Sequence, residues 1–381
     1  MHIALLFPTF PPALDGIGDY TARLASTLAA EHTVSVWTTA DEVACIPNVA
    51  VRQGVSFKTR TGPTSMAAAA RCDRADWVVL QYNPFSYGHR GLTLTLAPAL
   101  RKIKAASPGT RIAVMVHEPF VPVTNWRWAI LTVWQRWQLW HLGQVADALF
   151  FSICPWVKRF RSWFPDTPVH HLPVGSNIPR VAASPAHVRE CCKVPPGSVV
   201  AGIFGTAHHS RRLPYIARAS QAALAAGHDL HVLYVGPHGD AVRQSLRSVP
   251  VYDAGRLDAP DVSRHFAAMD LYLAPFEEGV SARRGSFLTG IQHGIATVTT
   301  RGAHTDTFMH NAHNAAFVLT PDGAPDAFVD ATLRLIDEPV RRQQLATEGR
   351  RFYDAHFDWS VIAGKMIQTF NRIDRSHLHL V

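Results

Sequence analysis

Short apolar runs rich in β-branched residues alternate along the chain with helix-length stretches. Apolar runs of this kind, bounded by turn residues, predict strands of parallel sheets that helices cover on both faces. The runs are HIALLF, TVSVWTT, WVVLQY, RIAVMVH, ALFFSI and VHHLPV in the first half, and VVAGIFG, HVLYVG, VYDAG, LYLAPF, IATVTT and AAFVLT in the second. We therefore predict two α/β units. Residues 174–198, rich in Pro, Ser and Gly, are the natural linker between them.

Length and composition agree with a globular protein of two domains. A chain of 381 residues exceeds the size at which a single hydrophobic core usually stops growing. No apolar stretch reaches the ~18 residues of a membrane-spanning helix, and the amino terminus lacks the basic region of a signal peptide. The five cysteines have no metal-ligand spacing, so we interpret them as reduced thiols and expect a cytoplasmic protein.

The net charge of +8 is concentrated in the first half of the chain. Residues 1–190 contain 18 Lys and Arg against 11 Asp and Glu. Such an excess attracts phosphates, whether of nucleic acid, lipid headgroups or a diphosphate substrate. The sequence has no basic arm, zinc finger or aromatic RNA-binding motif, so we expect no nucleic-acid partner.

Ligands of open parallel sheets lie beyond the carboxyl ends of the strands, which makes the loops there the candidate binding loops. After the first strand, Gly16 and Gly18 would let a backbone approach a phosphate or a sugar, unless the loop is a simple turn. The residue at position 21 is Thr21, so the full dinucleotide fingerprint is absent. His117 and Glu118 end another strand, where the histidine either contacts a substrate hydroxyl or merely caps the strand.

Two arginine pairs follow strands of the second half. Arg211 and Arg212 lie just before a helix, and Arg283 and Arg284 lie in the glycine-flanked loop of PFEEGVSARRGSFLTG. A guanidinium is always charged and presents a fork of donors that matches phosphate oxygens. Two such pairs at strand ends indicate a diphosphate site, the alternative being a solvated basic face.

Residues 251–300 resemble the donor-site region of the retaining GT-B glycosyltransferases of family 4, also described as glycosyl transferases group 1. The family form is roughly G-x-L…A-D-x-x-x-x-P-S…E-G-F-G…E-A-x-x-x-G-x-P-V-V-x-T. The order of elements agrees over nearly the whole chain. The further matches are the glycine loop GIGDY, the strand end VHEP, the hinge-like LPVGSNIP, the basic stretch FGTAHHSRR and the closing FDWSVIAGKMIQTF.

The chain departs from the family at the second of two glutamates that contact the donor. That position is Ser286 when counted forward from Glu278, and Thr289 when counted back from Gly294. The intervening stretch is three residues longer than in the family, and the residue after Gly205 is not the family's arginine. We therefore expect diphosphate binding to be redistributed onto the two arginine pairs.

The resemblance implies a GT-B fold, with two Rossmann-like domains facing a central cleft. Residues 1–178 would hold the acceptor, with a closing helix at 359–381 packed back on them, and residues 179–358 would bind the nucleotide sugar. It implies sugar transfer with retention, without a metal or a cofactor. Glu277 or Glu278 would hold sugar hydroxyls or orient the arginines, unless the loop is only a structural network of ion pairs.

The site residues are assigned on this basis. The predicted catalytic residues are His117, Arg212, Glu278 and Arg284. The predicted donor-binding residues are Gly16, Gly18, Gly205, Thr206, Arg211, Arg212, Glu277, Glu278, Ser281, Arg283, Arg284, Gly285 and Ser286. Two other functions remain open: a nucleotide-sugar epimerase of the same architecture, and a catalytically silent nucleotide-sugar-binding subunit.

Seven of the 10 tryptophans fall between residues 124 and 164, interleaved with arginines and a lysine. Tryptophans mixed with cations suit the headgroup level of a bilayer. This favours a peripheral enzyme on the inner face of the plasma membrane, acting on a lipid-linked or polysaccharide-precursor glycan. We expect Trp156, Lys158, Arg159 and Trp163 to contribute. The alternative is that WAILTVWQRWQLWHL packs on the sheet as an ordinary core helix.

Overall fold

The protein divides into two compact units. The computed structural model describes residues 1–57, 62–123 and 126–378, the last three as backbone only. Unit 1 comprises Met1–Pro173 together with the segment from Trp359 onward, and unit 2 comprises Val174–Asp358. The division lies five residues before the sequence-based boundary at 178, because residues after 173 bond within unit 2: the amide of Val174 donates to the carbonyl of Ala282.

Unit 1 contains a parallel sheet of seven strands. The strands are β1 (His2–Leu6), β2 (Thr33–Trp37), β3 (Val49–Arg52), β4 (Trp77–Tyr82), β5 (Arg111–Val116), β6 (Ala148–Phe151) and β7 (Val169–His171), in the order β3-β2-β1-β4-β5-β6-β7. The α-helices are α1 (Gly16–Leu28), α2 (Gly62–Asp73), α3 (Pro84–Tyr87), α4 (Leu96–Ala106), α5 (Trp126–Val145), α6 (Cys154–Phe160) and, from the end of the chain, α15 (Trp359–Leu378). Strand β4 is buried along its whole length, as its mostly apolar sequence predicts for a central strand.

Unit 2 contains a parallel sheet of six strands. The strands are β8 (Val199–Phe204), β9 (Leu230–Val235), β10 (Val251–Asp253), β11 (Leu271–Ala274), β12 (Ala296–Arg301) and β13 (Val318–Pro321), in the order β10-β9-β8-β11-β12-β13. The helices are α7 (Pro185–Cys191), α8 (Leu213–Ala225), α9 (Gly239–Ser245), α10 (Ala259–Phe266), α11 (Gly285–Gln292), α12 (Thr307–Asn311), α13 (Pro325–Asp337) and α14 (Pro339–His356). The strand order is that of a nucleotide-binding Rossmann sheet, and the predicted pair of Rossmann-like units is confirmed.

Helix α15 completes unit 1 although unit 2 precedes it in the chain. The ring of Phe370 stacks on Trp77 at 3.9 Å between centroids, and Trp359 lies 5.2 Å from Tyr20. An ion pair of 2.8 Å joins Arg111 on β5 to Asp374. Among the described helices, none has a long enough apolar run to cross a bilayer.

Candidate active site

A small cavity opens at the carboxyl ends of β8 and β11, which are neighbours in the sheet although distant in the chain. This is the point where the strand order of unit 2 reverses, and Rossmann sheets bind their ligands there. Its volume is about 150 Å³. The lining residues are Gly205, Thr206, His208, Ser210, Arg211, Phe276, Arg284 and Ser286. Five of these are predicted donor-binding residues; His208, Ser210 and Phe276 are not among the sequence predictions.

Arg211 is the buried cation of this cavity. Its side chain belongs to a residue only 5% exposed, and Nη2 donates to the carbonyl of Phe204 at 2.6 Å and to Ser286 Oγ at 3.4 Å. Its Nε and Nη1 have no hydrogen-bond partner among the residues that the structure describes. A buried guanidinium with unused donors is unfavourable unless an anion meets it. The cavity is therefore suited to a phosphate.

Arg284 places a second guanidinium at the same cavity. The guanidinium carbons of Arg211 and Arg284 lie 5.2 and 4.7 Å from the centroid of the Phe276 ring. Arg284 also lies at the start of α11, with Nη1 3.4 Å from Ser210 Oγ. The amino terminus of a helix favours negative charge. Two guanidiniums and this helix terminus together make an electropositive pocket.

Arg212 does not line the cavity. Its Nε and Nη2 donate to the two carboxylate oxygens of Asp322 at 3.1 and 3.3 Å, and Glu277 lies 3.7 Å away. The hydrogen bonds to Asp322 raise the pKa of the Arg212 guanidinium. Asp322 follows β13 directly, and its position at a strand end was the only sequence signal that could have identified it.

The other predicted residues of this loop surround the cavity without lining it. Glu278, in the left-handed region at φ +62°, pairs its carboxylate with His304 Nδ1 at 2.9 Å and donates its amide to Asp322 at 3.2 Å. Ser281 is fully buried, and its Oγ has no partner within the described part of the chain. Arg283 is half-buried, and Gly285 opens α11.

The two positions that replace the family's second glutamate differ in the structure. Ser286 lines the cavity and accepts from Arg211. Thr289 is buried one turn further along α11, where its Oγ1 donates to the carbonyl of Gly285 and lies 2.9 Å from Ser176 Oγ. Of these two positions, Ser286 is thus the one that faces the cavity, and it offers a neutral hydroxyl instead of a carboxylate.

His117 lies in unit 1, at the end of β5. Burial lowers its pKa to about 3, so the imidazole is neutral at physiological pH. Its Nε2 is 2.8 Å from Gln81 Oε1, and Tyr20 packs edge-on at 4.8 Å. Because Nε2 then carries the proton, the lone pair is on Nδ1, and that atom can act only as a hydrogen-bond acceptor.

The backbone amides of the glycine loop in unit 1 are bonded to a carboxylate of the same loop. One carboxylate oxygen of Asp15 accepts from the amides of Ile17 at 2.8 Å and Gly18 at 2.9 Å. A Cβ on Gly18 would lie 3.0 Å from the carbonyl oxygen of Thr9, so close packing requires glycine there, whereas Gly16 has open space. The amides that would meet a phosphate are already occupied by Asp15.

Known proteins show the same fold and the same second domain. A family model described as "Glycosyl transferases group 1" matches residues 198–338. Sucrose-phosphate synthase from Thermosynechococcus elongatus superposes with a TM-score of 0.71 over 98% of this chain and 99% of that one, at 14% identity. The glycosyltransferase WaaG of lipopolysaccharide biosynthesis gives a TM-score of 0.67 over 96% and 98% of the chains, at 16% identity. The fold is therefore the GT-B fold.

Sequence comparison adds a curated relative from Corynebacterium glutamicum. It is named as a GDP-mannose-dependent monoacylated alpha-(1-6)-phosphatidylinositol monomannoside mannosyltransferase, and it is 23% identical over 248 residues. The match spans 61% of this chain and 64% of the relative's length. Residues 198–338 of unit 2 thus match the group 1 family model, and the chain covers less than two thirds of the relative's length.

Proposed function

We propose that the protein transfers a sugar from a nucleotide-sugar donor to a glycan acceptor, and that Arg211 and Arg284 bind the donor diphosphate. The observation that carries this proposal is the buried guanidinium of Arg211, which has two nitrogens without partners among the described residues, in a cavity at the strand reversal. A diphosphate would supply the missing acceptors. Ser286 Oγ and the α11 amino terminus would add neutral donors.

The same arrangement would assist departure of the nucleoside diphosphate. Negative charge grows on the diphosphate as the glycosidic bond breaks, and donors fixed in place beforehand stabilise that charge. The guanidinium of Arg211 is held by the carbonyl of Phe204 and by the Phe276 ring, so it needs little reorganisation. We propose that these cations fill the role that a metal has in other transferases, and that transfer proceeds with retention, as in family 4.

Sugar hydroxyls would be bound by side chains other than the arginines. Glu277 is about half exposed beside Arg212, and Glu278 is paired with His304. Either glutamate could accept from a sugar hydroxyl after a modest rotation, or could orient its present partner. In unit 1, Nδ1 of His117 would accept from a substrate hydroxyl, because the ring is neutral.

The class of donor and acceptor is proposed from the relatives. Anabaena HepE, solved with UDP and glucose, superposes with a TM-score of 0.68 at 14% identity over 98% of this chain. The C. glutamicum relative is named for GDP-mannose and a phosphatidylinositol mannoside, and the WaaG structure for lipopolysaccharide biosynthesis. We propose a nucleoside diphosphate hexose as donor and a lipid-linked glycan as acceptor, used by an enzyme peripheral to the inner face of the plasma membrane.

Purified protein incubated with UDP- and GDP-sugars, with and without lipid-linked glycan acceptors, tests the proposal. Nucleotide release that depends on the acceptor is the expected result. Interconversion of the donor sugar without acceptor would identify an epimerase instead. Tight nucleotide-sugar binding without turnover would identify a silent subunit, an outcome that the neutral Ser286 makes worth testing.

A further inference from the structure

Helix α5 presents its apolar side chains to the outside. Trp126, Ile130, Val133, Trp137 and Trp140 are between 44% and 69% exposed. Their spacing of four, three, four and three residues places them on one stripe of the helix. A helix of a globular protein normally turns such a stripe toward the core, whereas this stripe of α5 faces outward and only the end of the helix buries apolar side chains.

The buried side of α5 carries hydrogen-bonded polar side chains at Thr132, Gln135 and Gln138, and apolar side chains over its last two turns. Thr132 Oγ1 donates to the carbonyl of Val121 at 2.9 Å, and Gln135 Oε1 accepts from the Val121 amide at 2.9 Å. Gln138 accepts from the amide of Thr93 at 3.0 Å and donates to the hydroxyl of Tyr82 at 3.0 Å. These bonds fix the rotation of the helix, because turning the apolar stripe inward would break them.

Further exposed apolar side chains lie on the two loops that bond to α5, around Thr93 and Val121. Leu92 and Leu94 flank Thr93, and Val123 lies two residues beyond Val121; all three are exposed. We call the combined surface the α5 face, formed by Leu92, Leu94, Val123, Trp126, Ile130, Val133, Trp137 and Trp140. Exposed apolar side chains in this number on one helix and its neighbouring loops mark a place of interaction.

Cations border the α5 face on the side of α6. The guanidiniums of Arg136 on α5 and Arg159 on α6 lie 4.8 and 5.2 Å from the centroid of the same Phe120 ring. Lys158 and Arg161 next to them are exposed. Between residues 119 and 165 the sequence has a single carboxylate, Asp147, which is bonded to Lys104 and to the Ile112 amide. The border therefore has an excess of positive charge, with the exposed Asp166 five residues beyond Arg161 as the next carboxylate along the chain.

We propose that the α5 face docks on an anionic membrane, with its tryptophans at the boundary between headgroups and acyl chains and the bordering cations on lipid phosphates. This deepens the proposed function and rests on it for the lipid-carried acceptor. A second copy of the chain is a poorer occupant, because a two-fold contact would bring two sets of the same cations together.

The structure also corrects which tryptophans serve this surface. Trp156, expected to lie at the membrane, is only 5% exposed, and Trp163 packs on Phe120 and Phe160 at 6.3 and 5.0 Å. Trp156 belongs to the core of unit 1, and Trp163 is partly buried against that core. The alternative of an ordinary core helix holds for the end of α5, where Leu139 and Leu142 are fully buried, but not for the tryptophans at 126, 137 and 140, which are exposed.

Sedimentation with vesicles of phosphatidylglycerol and phosphatidylcholine tests the proposal on the full chain. The wild type should bind, and replacing Ile130, Val133, Trp137 and Trp140 together by Gln should weaken binding at least about tenfold. Glutamine preserves the helix, so folding should be unaffected. Lys158→Gln with Arg161→Gln should weaken binding by about fivefold per charge at low salt, and less at about 1 M salt.

A matched control pair is available. Leu14→Gln with Val340→Gln removes two apolar side chains that are 72% and 71% exposed, and vesicle binding should be unchanged. The pair Ile130→Gln with Val133→Gln, at 63% and 66% exposed, should by contrast reduce it. Equal effects of the two pairs, or no vesicle binding by the wild type, would overturn the proposal.

Two further measurements separate this inference from the proposed function. Calorimetry with UDP and GDP reports the nucleotide site alone, so nucleotide binding without vesicle binding would refute membrane docking and leave the transferase proposal standing. Vesicle binding without nucleotide binding would support membrane docking and refute the proposed nucleotide site. Sedimentation velocity without lipid should show no association through the α5 face. A dimer that disappears when Ile130, Val133, Trp137 and Trp140 are all replaced by Gln would assign the face to a second copy instead.

Discussion

Arg211 and Arg212 are adjacent in the chain but have different environments. Arg211 lines the cavity with unused donors, whereas Arg212 is bound to Asp322 outside it. We predict that Arg211→Ala weakens UDP or GDP binding by about 1.5–3 kcal/mol, the usual worth of a charge-assisted hydrogen bond. Isothermal titration calorimetry measures this loss, and Arg284→Ala should behave similarly.

The control for this prediction is a cation that has no role at the cavity. Arg218 forms an exposed ion pair with Asp326, so Arg218→Ala should leave nucleotide affinity unchanged. Arg212→Ala should have an intermediate, indirect effect through Asp322. If Arg211→Ala folds normally and binds nucleotide as tightly as the wild type, the diphosphate lies elsewhere.

A second prediction at this scale concerns acid sensitivity. Burial lowers the pKa of His293 to about 4, with Nδ1 2.8 Å from the Thr289 carbonyl and Nε2 2.9 Å from Ser263 Oγ. Below pH 6.5, the ordinary value, the unfolded chain binds a proton that the folded chain refuses until about pH 4. The free energy of unfolding should therefore fall, by up to about 1.4 kcal/mol per pH unit for this one group.

Urea unfolding of unit 2 at neutral and mildly acid pH measures the effect. His293→Asn should be less stable at neutral pH but should lose less stability on acidification, because one titrating group is gone. Replacing the exposed His89 by Asn should change neither the stability at neutral pH nor its loss on acidification. A variant with the wild-type pH dependence would show that other groups of unit 2 dominate, such as His313, whose pKa is also lowered by burial.

Residue types were readable from the sequence, whereas the direction of their side chains was not. The sequence placed both arginines beyond β8, but adjacent residues of an extended segment point in different directions, and only one of the two side chains enters the cavity. An antiparallel bridge between Arg211 and Phe276, which are far apart in the chain, decides which one. Asp15 shows the same limit, because its occupation of the α1 amides depends on loop geometry.

Helix α11 carries Ser286, and its position depends on a glycine. A Cβ on Gly290 would lie 2.4 Å from the ring of Tyr272 on β11, which is fully buried and cannot move aside. Gly290→Ala should destabilise unit 2 by about 1–3 kcal/mol through overpacking and should weaken nucleotide binding by displacing the helix. Chemical denaturation and calorimetry of the same samples test both effects.

Gly364 provides the matched control, because it lies within α15 and its Cβ direction is open. Gly364→Ala should leave nucleotide binding unchanged and should stabilise unit 1 by about 0.5–1 kcal/mol. A Gly290→Ala protein with wild-type stability would show that α11 and β11 adjust more easily than their spacing indicates.

At the level of elements, the apolar runs predicted the buried strands well. Strand β3 was not predicted, because its apolar run is only three residues long and its residues alternate between half-buried and exposed at the edge of the sheet. It could not orient α5, since an apolar helix of this composition is compatible with burial on any side. Only the bonds from Gln135 and Gln138 to neighbouring loops decide the outcome.

For the whole molecule, the two sheets could be inferred from the apolar runs, whereas the packing of the closing helix on unit 1 was predicted from the family resemblance alone, because it depends on contacts over nearly 300 positions. Phe370 is fully buried and stacks on Trp77. Phe370→Ala should cost about 3–5 kcal/mol, and faster amide exchange should appear in unit 1, in β4 and β5.

Phe328 supplies the counterpart in unit 2, where it is fully buried beside Tyr215. Phe328→Ala should accelerate exchange in β12 and β13 rather than in β4. Hydrogen exchange followed by mass spectrometry resolves the two patterns. Identical patterns for both variants would mean that the chain opens as one cooperative body.

The return of α15 to unit 1 sets an order for synthesis. The ribosome completes Val174–Asp358 before it makes any residue of α15, so unit 2 can close its sheet first. At about 5–20 residues per second, unit 1 waits roughly 10–40 s between the end of its strands and the arrival of its last helix. During that interval Trp77 and Phe150 lack the ring of Phe370. A nascent or truncated chain that ends before Trp359 therefore displays an aromatic surface that chaperones and proteases can recognise as unfinished.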